Sequence, residues 1–142
     1  MHVILGGAHN GKRAYVEREI LKFKQRDTVF FEGIIPDSSY ENAGKVLVIS
    51  EFEKIIAPFL NQPEQIIAQE IFEQIEHLAQ NNLLYCICTD TSRGIVPIEK
   101  EARQLRDTCG RLYQLLCAHA DAVTRVWYGI PQQLKGDSYG EK

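Results

Sequence analysis

A glycine-rich segment near the start of the chain ends in two basic residues. It runs Gly6, Gly7, Ala8, His9, Asn10, Gly11, Lys12, Arg13, which fits the pattern G-x-x-x-x-G-K. Because it follows a short apolar run and precedes a stretch of helical periodicity, its glycines would let backbone N–H groups curl around a phosphate at a helix N-terminus. The segment predicts a phosphate-binding loop, with Lys12 reaching the β- and γ-phosphates of a nucleotide. The alternative is a glycine-rich turn in which Lys12 is a solvated surface cation.

The expected metal ligands of such a loop are replaced by other residues. Arg13 stands where these loops carry a Ser or Thr whose hydroxyl binds Mg²⁺, and a guanidinium repels a cation. We expect Arg13 either to lie along the α-phosphate or to point into solvent. The third predicted strand runs into Ser50, where an acidic residue would support the metal. Glu51 and Glu53 follow, but acidic residues there are typical of the first turn of a helix. The sequence therefore gives no certain metal site, and Mg²⁺ is a candidate cofactor without its usual ligands.

The segments that would position the loop alternate between two kinds of periodicity. Apolar runs predict strands, and apolar residues at steps of three and four predict helices. The predicted strands cover 2–5, 28–31, 45–49, 83–88 and 123–128. The predicted helices cover 11–25, a stretch that stops near Pro58, a segment from Pro63 to residues 81–82, and 99–120. This order predicts an α/β fold, a three-layer and mostly parallel sheet with helices on both faces and ligands at the carboxyl ends of its strands.

Composition narrows the class of protein further. The chain has 142 residues and a formal net charge of −3, with 44% hydrophobic and 25% charged residues, which is typical of a soluble globular protein. We expect one nucleotide-binding domain at 1–135 and a disordered polar tail at 136–142. The acidic balance argues against nucleic acid as a partner. Because no apolar run approaches the ~20 residues that cross a bilayer and no signal-peptide pattern is present, we expect a cytoplasmic protein without a membrane partner.

Four cysteines lie in the second half of the chain. Cys86 and Cys88 are two apart in an apolar run, so on a strand they share one face, and their spacing differs from the C-x2-C of zinc sites. Cys109 and Cys117 fall in the last predicted helix. We expect buried, reduced thiols that pack as small hydrophobic residues.

Several motifs carry a resemblance to a known family. The loop is similar to the motif Gly-Gly-Ala-Arg-Ser-Gly-Lys-Ser, and residues 90–97 are similar to Asn-Glu-Val-Gly-x-Gly-Ile-Val-Pro. Residues 103–107 are similar to Arg-Phe-Arg-Asp, and residues 110–114 are similar to Gly-Arg-Leu-Asn-Gln. Residues 129–135 are similar to Gly-Ile-Pro-x-x-Leu-Lys. In these motifs the chain resembles the bifunctional adenosylcobinamide kinase/adenosylcobinamide-phosphate guanylyltransferase family of cobalamin biosynthesis. The resemblance covers residues 1–18 and 83–135, and the chain is shorter than usual and divergent in the middle.

The resemblance implies a P-loop NTPase-like fold and a kinase reaction. Its implied substrates are GTP or ATP, which donates the γ-phosphoryl group, and adenosylcobinamide, whose hydroxyl accepts it. It places Asp90 at the family's Glu, so Asp90 would hold a metal or accept the hydroxyl proton. The alternative for Asp90 is a turn residue that bonds its own backbone. The resemblance also implies a homo-oligomer, a trimer in the family.

The middle of the chain departs from the family pattern in its histidines. Family members attach GMP to a histidine soon after the second strand, but this sequence has no histidine between His9 and His77. We therefore expect guanylyl transfer to be lost. His77 is expected on the surface and His119 near a helix C-terminus. Two further functions stay open, a non-catalytic nucleotide- or corrinoid-binding family member and an interaction subunit that binds no nucleotide. The non-catalytic function is favoured by Arg13, Ser50 and the missing histidine.

Overall fold

Six strands form one sheet in a computed structural model that describes residues 1–8, 11–23, 26–90 and 99–136. The strands are β1 (His2–Gly7), β2 (Thr28–Glu32), β3 (Val46–Ser50), β4 (Leu83–Asp90), β5 (Ala122–Trp127) and β6 (Ile130–Lys135). Their spatial order is β2-β3-β4-β1-β5-β6. The first five are parallel, and β6 runs antiparallel to β5.

Helices cover both faces of this sheet. They are α1 (Lys12–Ile20), α2 (Phe52–Ile56), α3 (Glu64–Ala79) and α4 (Lys100–His119), with 3-10 turns at Leu21–Phe23, Ser38–Tyr40 and Ala57–Phe59. On one face Val16 of α1 packs in a cluster with Ile4 and Val126. On the other face α2, α3 and α4 pack in a second cluster with residues of β1, β3 and β4. The predicted three-layer α/β arrangement is confirmed.

The apolar stripes predicted for the long helices are buried in the second cluster. Ile67, Ile71, Ile75 and Leu78 of α3 are each at most 4% exposed. Leu112 and Leu116 of α4 are fully buried. Full burial of such a side chain contributes about 1.5–3 kcal/mol, so the packing of these two helices contributes to the stability of the fold.

The central strand, β1, carries the candidate loop at its carboxyl end. β4 and β5 flank it, with Gly7 opposite Asp90 on one side and Leu5 opposite Arg125 on the other. Both β1 and β4 run two residues beyond their predicted ends, because Gly6 and Gly7 still pair with Thr89 and Asp90. This pairing places the end of β4 directly beside the start of the loop.

The prediction that β5 is the last strand is wrong. β6 follows it through a two-residue turn at Tyr128 and Gly129, and every residue of β6 is exposed. Because neither face of this edge strand is buried, its sequence lacks the alternation that predicts a strand, and Pro131 is tolerated at an edge. β6 ends at Lys135, and of the predicted tail at 136–142 only Gly136 belongs to the described residues.

The four cysteines lie where β4 packs against α4. Cys86 and Cys88 are buried on the same face of β4, as predicted, and all four thiols are free. Burial raises the pKa of Cys86 to about 12 and that of Cys109 to about 11. In the unfolded chain these thiols ionise near pH 9, whereas in the folded protein they stay neutral at that pH.

We predict that the free energy of unfolding falls as the pH rises above 9. The folded pKa is raised, so the contribution of Cys86 is complete below its ordinary pKa of 9.0 and is lost progressively toward about 12. The loss is about 1.4 kcal/mol per pH unit for one such thiol. Urea unfolding at pH 8 and pH 10.5 measures it, and Cys86→Ala should show a smaller pH dependence than wild type. If the free energy of unfolding changed equally with pH in both proteins, the raised pKa of Cys86 would be contradicted.

Candidate functional site

The loop between β1 and α1 is held by two glycines that contact the β5–β6 hairpin. A Cβ at Gly6 would lie 2.6 Å from the carbonyl oxygen of Val126. Gly11, the residue that precedes α1, has a φ of 89°, and a Cβ there would lie 3.1 Å from the Cα of Gly129. Only glycine fits both positions without a shift, so the first and last glycines of the motif are explained by packing as well as by phosphate chemistry.

Lys12, the first residue of α1, is buried against the end of β1. Its side chain is 6% exposed, and its ammonium donates hydrogen bonds to the carbonyls of Gly6, at 3.2 Å, and Gly7. Desolvation by burial lowers the pKa of Lys12, while the nearby Cys88 side chain acts in the opposite direction. Among the described residues, no carboxylate lies within salt-bridge distance of this ammonium. A ligand phosphate is the kind of group that would compensate such a charge.

Asp90 lies at the same edge of the sheet as the loop. It is exposed and sits opposite Gly7 in the strand pairing. The carboxylate therefore stands one strand away from the start of the candidate phosphate site. The resemblance to the family pointed to this residue, and the strand order is what brings it to the loop.

Tyr113 of α4 lies behind this edge and was missed by the sequence reasoning. Its hydroxyl donates to the carbonyl oxygen of Thr89 at 3.5 Å, and burial raises its pKa well above the usual range. Glu53, considered above as a metal-supporting carboxylate, lies near Tyr113 and Cys109 and contributes to their raised pKa values. The sequence held one signal for the placement of Tyr113, because this residue lies four positions after Cys109 and so extends the apolar stripe of α4.

Arg13 is exposed and pairs with carboxylates of α1 and β2. Its Nη1 lies 2.6 Å from Glu32 Oε1, and its Nε lies 3.1 Å from Glu17 Oε1. Its guanidinium also stacks 3.9 Å above the ring of Phe30. The side chain thus joins α1 to the end of β2. Burial acts to lower the pKa of Arg13, but the hydrogen bonds to Glu32 and Glu17 raise it overall.

These contacts do not fit the usual magnesium site of such a loop. The hydroxyl ligand is replaced by a paired guanidinium, and β3 ends in Ser50. Glu51, which follows in a left-handed conformation with a φ of 58°, pairs with Lys54 at 3.0 Å. Within the described ranges no group of three or more His, Cys, Asp or Glu side chains could hold a metal ion.

We predict that Arg13→Ala changes triphosphate affinity by less than about threefold and the free energy of unfolding by at most about 1 kcal/mol. Both partners of the pair are about half exposed, and exposed ion pairs contribute little. Isothermal titration with tripolyphosphate and urea unfolding measure the two quantities. Glu32→Gln is the matched control. If Arg13 contacts the ligand instead, Arg13→Ala alone would weaken binding about tenfold, as expected for a charge-assisted hydrogen bond.

The remaining candidate residues are distributed as follows. Ala8 is exposed in the turn after β1, and His9 and Asn10 lie outside the described residues, as does the stretch 91–98 with its Ile-Val-Pro motif. His77 is exposed on α3, and His119 ends α4, where its ring contacts Phe72 at 4.7 Å. The structure therefore brings together Gly6, Gly7, Gly11, Lys12 and Asp90.

Comparison with known families identifies the chain. The model of the cobinamide kinase / cobinamide phosphate guanyltransferase family matches residues 34–134. The chain belongs to this family. The matched range contains Asp90, Tyr113 and the β5–β6 hairpin, and it includes residues 34–82, where the sequence analysis found no shared motif. No curated protein matches the chain significantly.

Family membership confirms the class of protein that the sequence predicted. The family is P-loop NTPase-like in fold and transferase in activity, and its reactions use nucleoside triphosphates and cobinamide substrates in cobalamin biosynthesis. The matched range begins after the loop at 6–13, so the assignment of that loop depends on its own geometry. Within the described residues, no helix has both the length and the apolar character needed to cross a bilayer.

Proposed function

We propose that this protein binds GTP or ATP at residues 6–13 and transfers the γ-phosphoryl group to the hydroxyl of adenosylcobinamide. The observation that carries the proposal is the buried ammonium of Lys12 at the end of β1, in a chain of this family. An ammonium in this position neutralises the charge that develops on the phosphates during transfer. The backbone N–H groups at the start of α1 add to that effect.

Asp90 supplies the group that the acceptor needs. In the proposed reaction its carboxylate accepts the proton of the substrate hydroxyl as the hydroxyl oxygen bonds to the γ-phosphorus. The bond between that phosphorus and the β–γ bridging oxygen breaks, and the electron pair leaves with the nucleoside diphosphate. Gly7 and Asp90 pair at neighbouring strand ends, so the carboxylate lies beside the start of the loop, which supports this division of roles.

Guanylyl transfer is not part of the proposal. The family route needs a histidine after the second strand, and residues 10–76 contain none. The cobinamide substrate, GTP or ATP as the donor, a cytoplasmic location and a trimeric assembly remain proposals that follow from family membership.

A second candidate function is a non-catalytic nucleotide- or corrinoid-binding protein. It is favoured by the pairing of Arg13 with Glu32 at the position of a metal-binding hydroxyl. Ser50 at the end of β3 favours it as well. The two functions share the loop and differ in whether a phosphoryl group moves.

Thermal unfolding with GTP, ATP, tripolyphosphate and adenosylcobinamide, each with and without Mg²⁺, tests the shared premise. A ligand at 100 times its Kd should stabilise the protein by about 2.7 kcal/mol. Transfer of radiolabelled γ-phosphate to adenosylcobinamide then separates the two functions. For a kinase, Asp90→Asn should retain nucleotide binding and lose transfer, whereas absence of transfer in wild type despite nucleotide binding would establish the non-catalytic function.

A further inference from the structure

The turn between β5 and β6 contains an aromatic residue in an unfavourable backbone conformation. Tyr128 has a φ of 50° and Gly129 a φ of 77°, and Trp127 pairs with Ile130 to close the turn. Two-residue turns of this kind favour Asn-Gly, because a positive φ is sterically costly for a bulky residue. Strained residues of this sort often have a functional role, so the ring of Tyr128 needs an explanation beyond the turn.

That ring belongs to an exposed aromatic cluster. Tyr128 is 77% exposed and Trp127 is 38% exposed, and their ring centroids lie 5.9 Å apart in an edge-to-face arrangement. The guanidinium of Arg125 stacks 4.5 Å above the indole of Trp127. We call Arg125, Trp127 and Tyr128 the hairpin cluster. It combines a guanidinium with two aromatic rings, the kinds of side chain on which planar aromatic ligands stack.

The hairpin cluster is adjacent to the candidate phosphate loop. Gly129 contacts Gly11 so closely that a Cβ on Gly11 would lie 3.1 Å from the Gly129 Cα, and the carbonyl of Val126 covers Gly6. Both Gly6 and Gly11, which flank the loop, therefore lie against the hairpin. A nucleotide with its phosphates in the loop would have its nucleoside within the neighbourhood of this tip.

We propose that the hairpin cluster is the site where the nucleobase stacks, with Tyr128 as the main platform and Trp127 beside it. The inference rests on the proposed function, because it assumes that the triphosphate occupies residues 6–13. Every base has a π face, so stacking of this kind is tolerant of base identity. The site should therefore accept guanine and adenine with little discrimination.

The chain contains a single tryptophan, Trp127, which makes the contact directly measurable. Titration of wild type with ATP or GTP should quench tryptophan fluorescence, and titration with tripolyphosphate should bind without comparable quenching. Thermal shift follows binding of all three ligands independently. If tripolyphosphate produces the same fluorescence change as the nucleotides, the change does not report stacking and the proposal loses this support.

Variants of Tyr128 separate base binding from folding. Tyr128→Asn should strengthen the turn but weaken ATP and GTP roughly tenfold, with tripolyphosphate affinity unchanged. Tyr128→Phe should bind like wild type. Leu134→Ala is the matched control, since it removes an exposed apolar side chain from the same hairpin away from the tip.

The outcomes distinguish this proposal from the one on which it rests. If wild type binds none of the three ligands, the proposed function and the base site both fail. If wild type binds them all and Tyr128→Asn retains full nucleotide affinity, the base site alone is overturned. If Tyr128→Asn instead changes the sedimentation behaviour while nucleotide affinity is kept, the tip is a contact between copies of the chain, which also overturns the base site.

Discussion

Replacing Lys12 with Met is expected to weaken triphosphate binding roughly 10- to 100-fold. The ammonium is buried at the end of β1, and a charge-assisted hydrogen bond to phosphate is stronger than a neutral one. A Cβ at Gly6 would lie 3.3 Å from the Cδ and 3.4 Å from the Cγ of Lys12. Methionine keeps an apolar side chain in this space beside Gly6. The substitution therefore removes the charge with little change in packing. Isothermal titration with tripolyphosphate measures the loss.

The same variant should be at least as stable as wild type when no ligand is present. Burial lowers the pKa of Lys12, so the charged form is disfavoured in the folded state. The folded protein consequently gains stability as the pH rises from the folded pKa toward the ordinary value of 10.5. The advantage of Lys12→Met should thus be largest at neutral pH and should shrink above pH 10. Urea unfolding of both proteins at pH 7 and pH 10.5 measures this difference in stability.

Lys54→Met is the matched control for both measurements. Lys54 is exposed, pairs with Glu51, and carries the same charge outside the loop. A comparable loss of tripolyphosphate affinity in Lys54→Met would mean that net charge, rather than the loop, governs binding. Full affinity in Lys12→Met would remove the loop from the site altogether.

The part of the fold that sequence could predict is the part specified by local periodicity. The stripe of Ile67, Ile71, Ile75 and Leu78 alone indicates a helix with one buried face, and the helix is observed. β6 was missed for the converse reason, because a strand exposed on both faces has no period to recognise. Periodicity reports burial, so elements without burial escape it.

The candidate site depended more on strand order and on contacts between distant residues. Gly7 and Asp90 are separated by most of the chain and meet only because β4 lies beside β1. Arg13 and Glu32 are 19 positions apart, so the pair that occupies the usual place of a metal ligand had no local signal. Tyr128 is conspicuous only once its φ of 50° and its place beside the loop are known.

Gly11→Ala is expected to lower the free energy of unfolding by about 2–5 kcal/mol and to remove triphosphate binding. Replacing Gly11 with alanine is unfavourable for two reasons. The φ at this position is 89°, and the added Cβ would lie 3.1 Å from the Gly129 Cα. Neither α1 nor the hairpin can shift without displacing the other, because the contact is between backbones. The N–H groups at the start of α1, which bind the phosphate in the proposed function, would then be displaced. Urea unfolding and tripolyphosphate titration measure the two effects.

Gly44→Ala isolates the contribution of the hairpin contact. Gly44 has a φ of 63°, but nothing lies within 4 Å of its Cβ position. It should therefore show the conformational cost alone, about 1–2 kcal/mol, with unchanged tripolyphosphate affinity. The difference between the two variants measures how strongly the hairpin holds the loop. Equal destabilisation in both would show that the loop is independent of the hairpin, and the hairpin cluster would then lose its link to the phosphates.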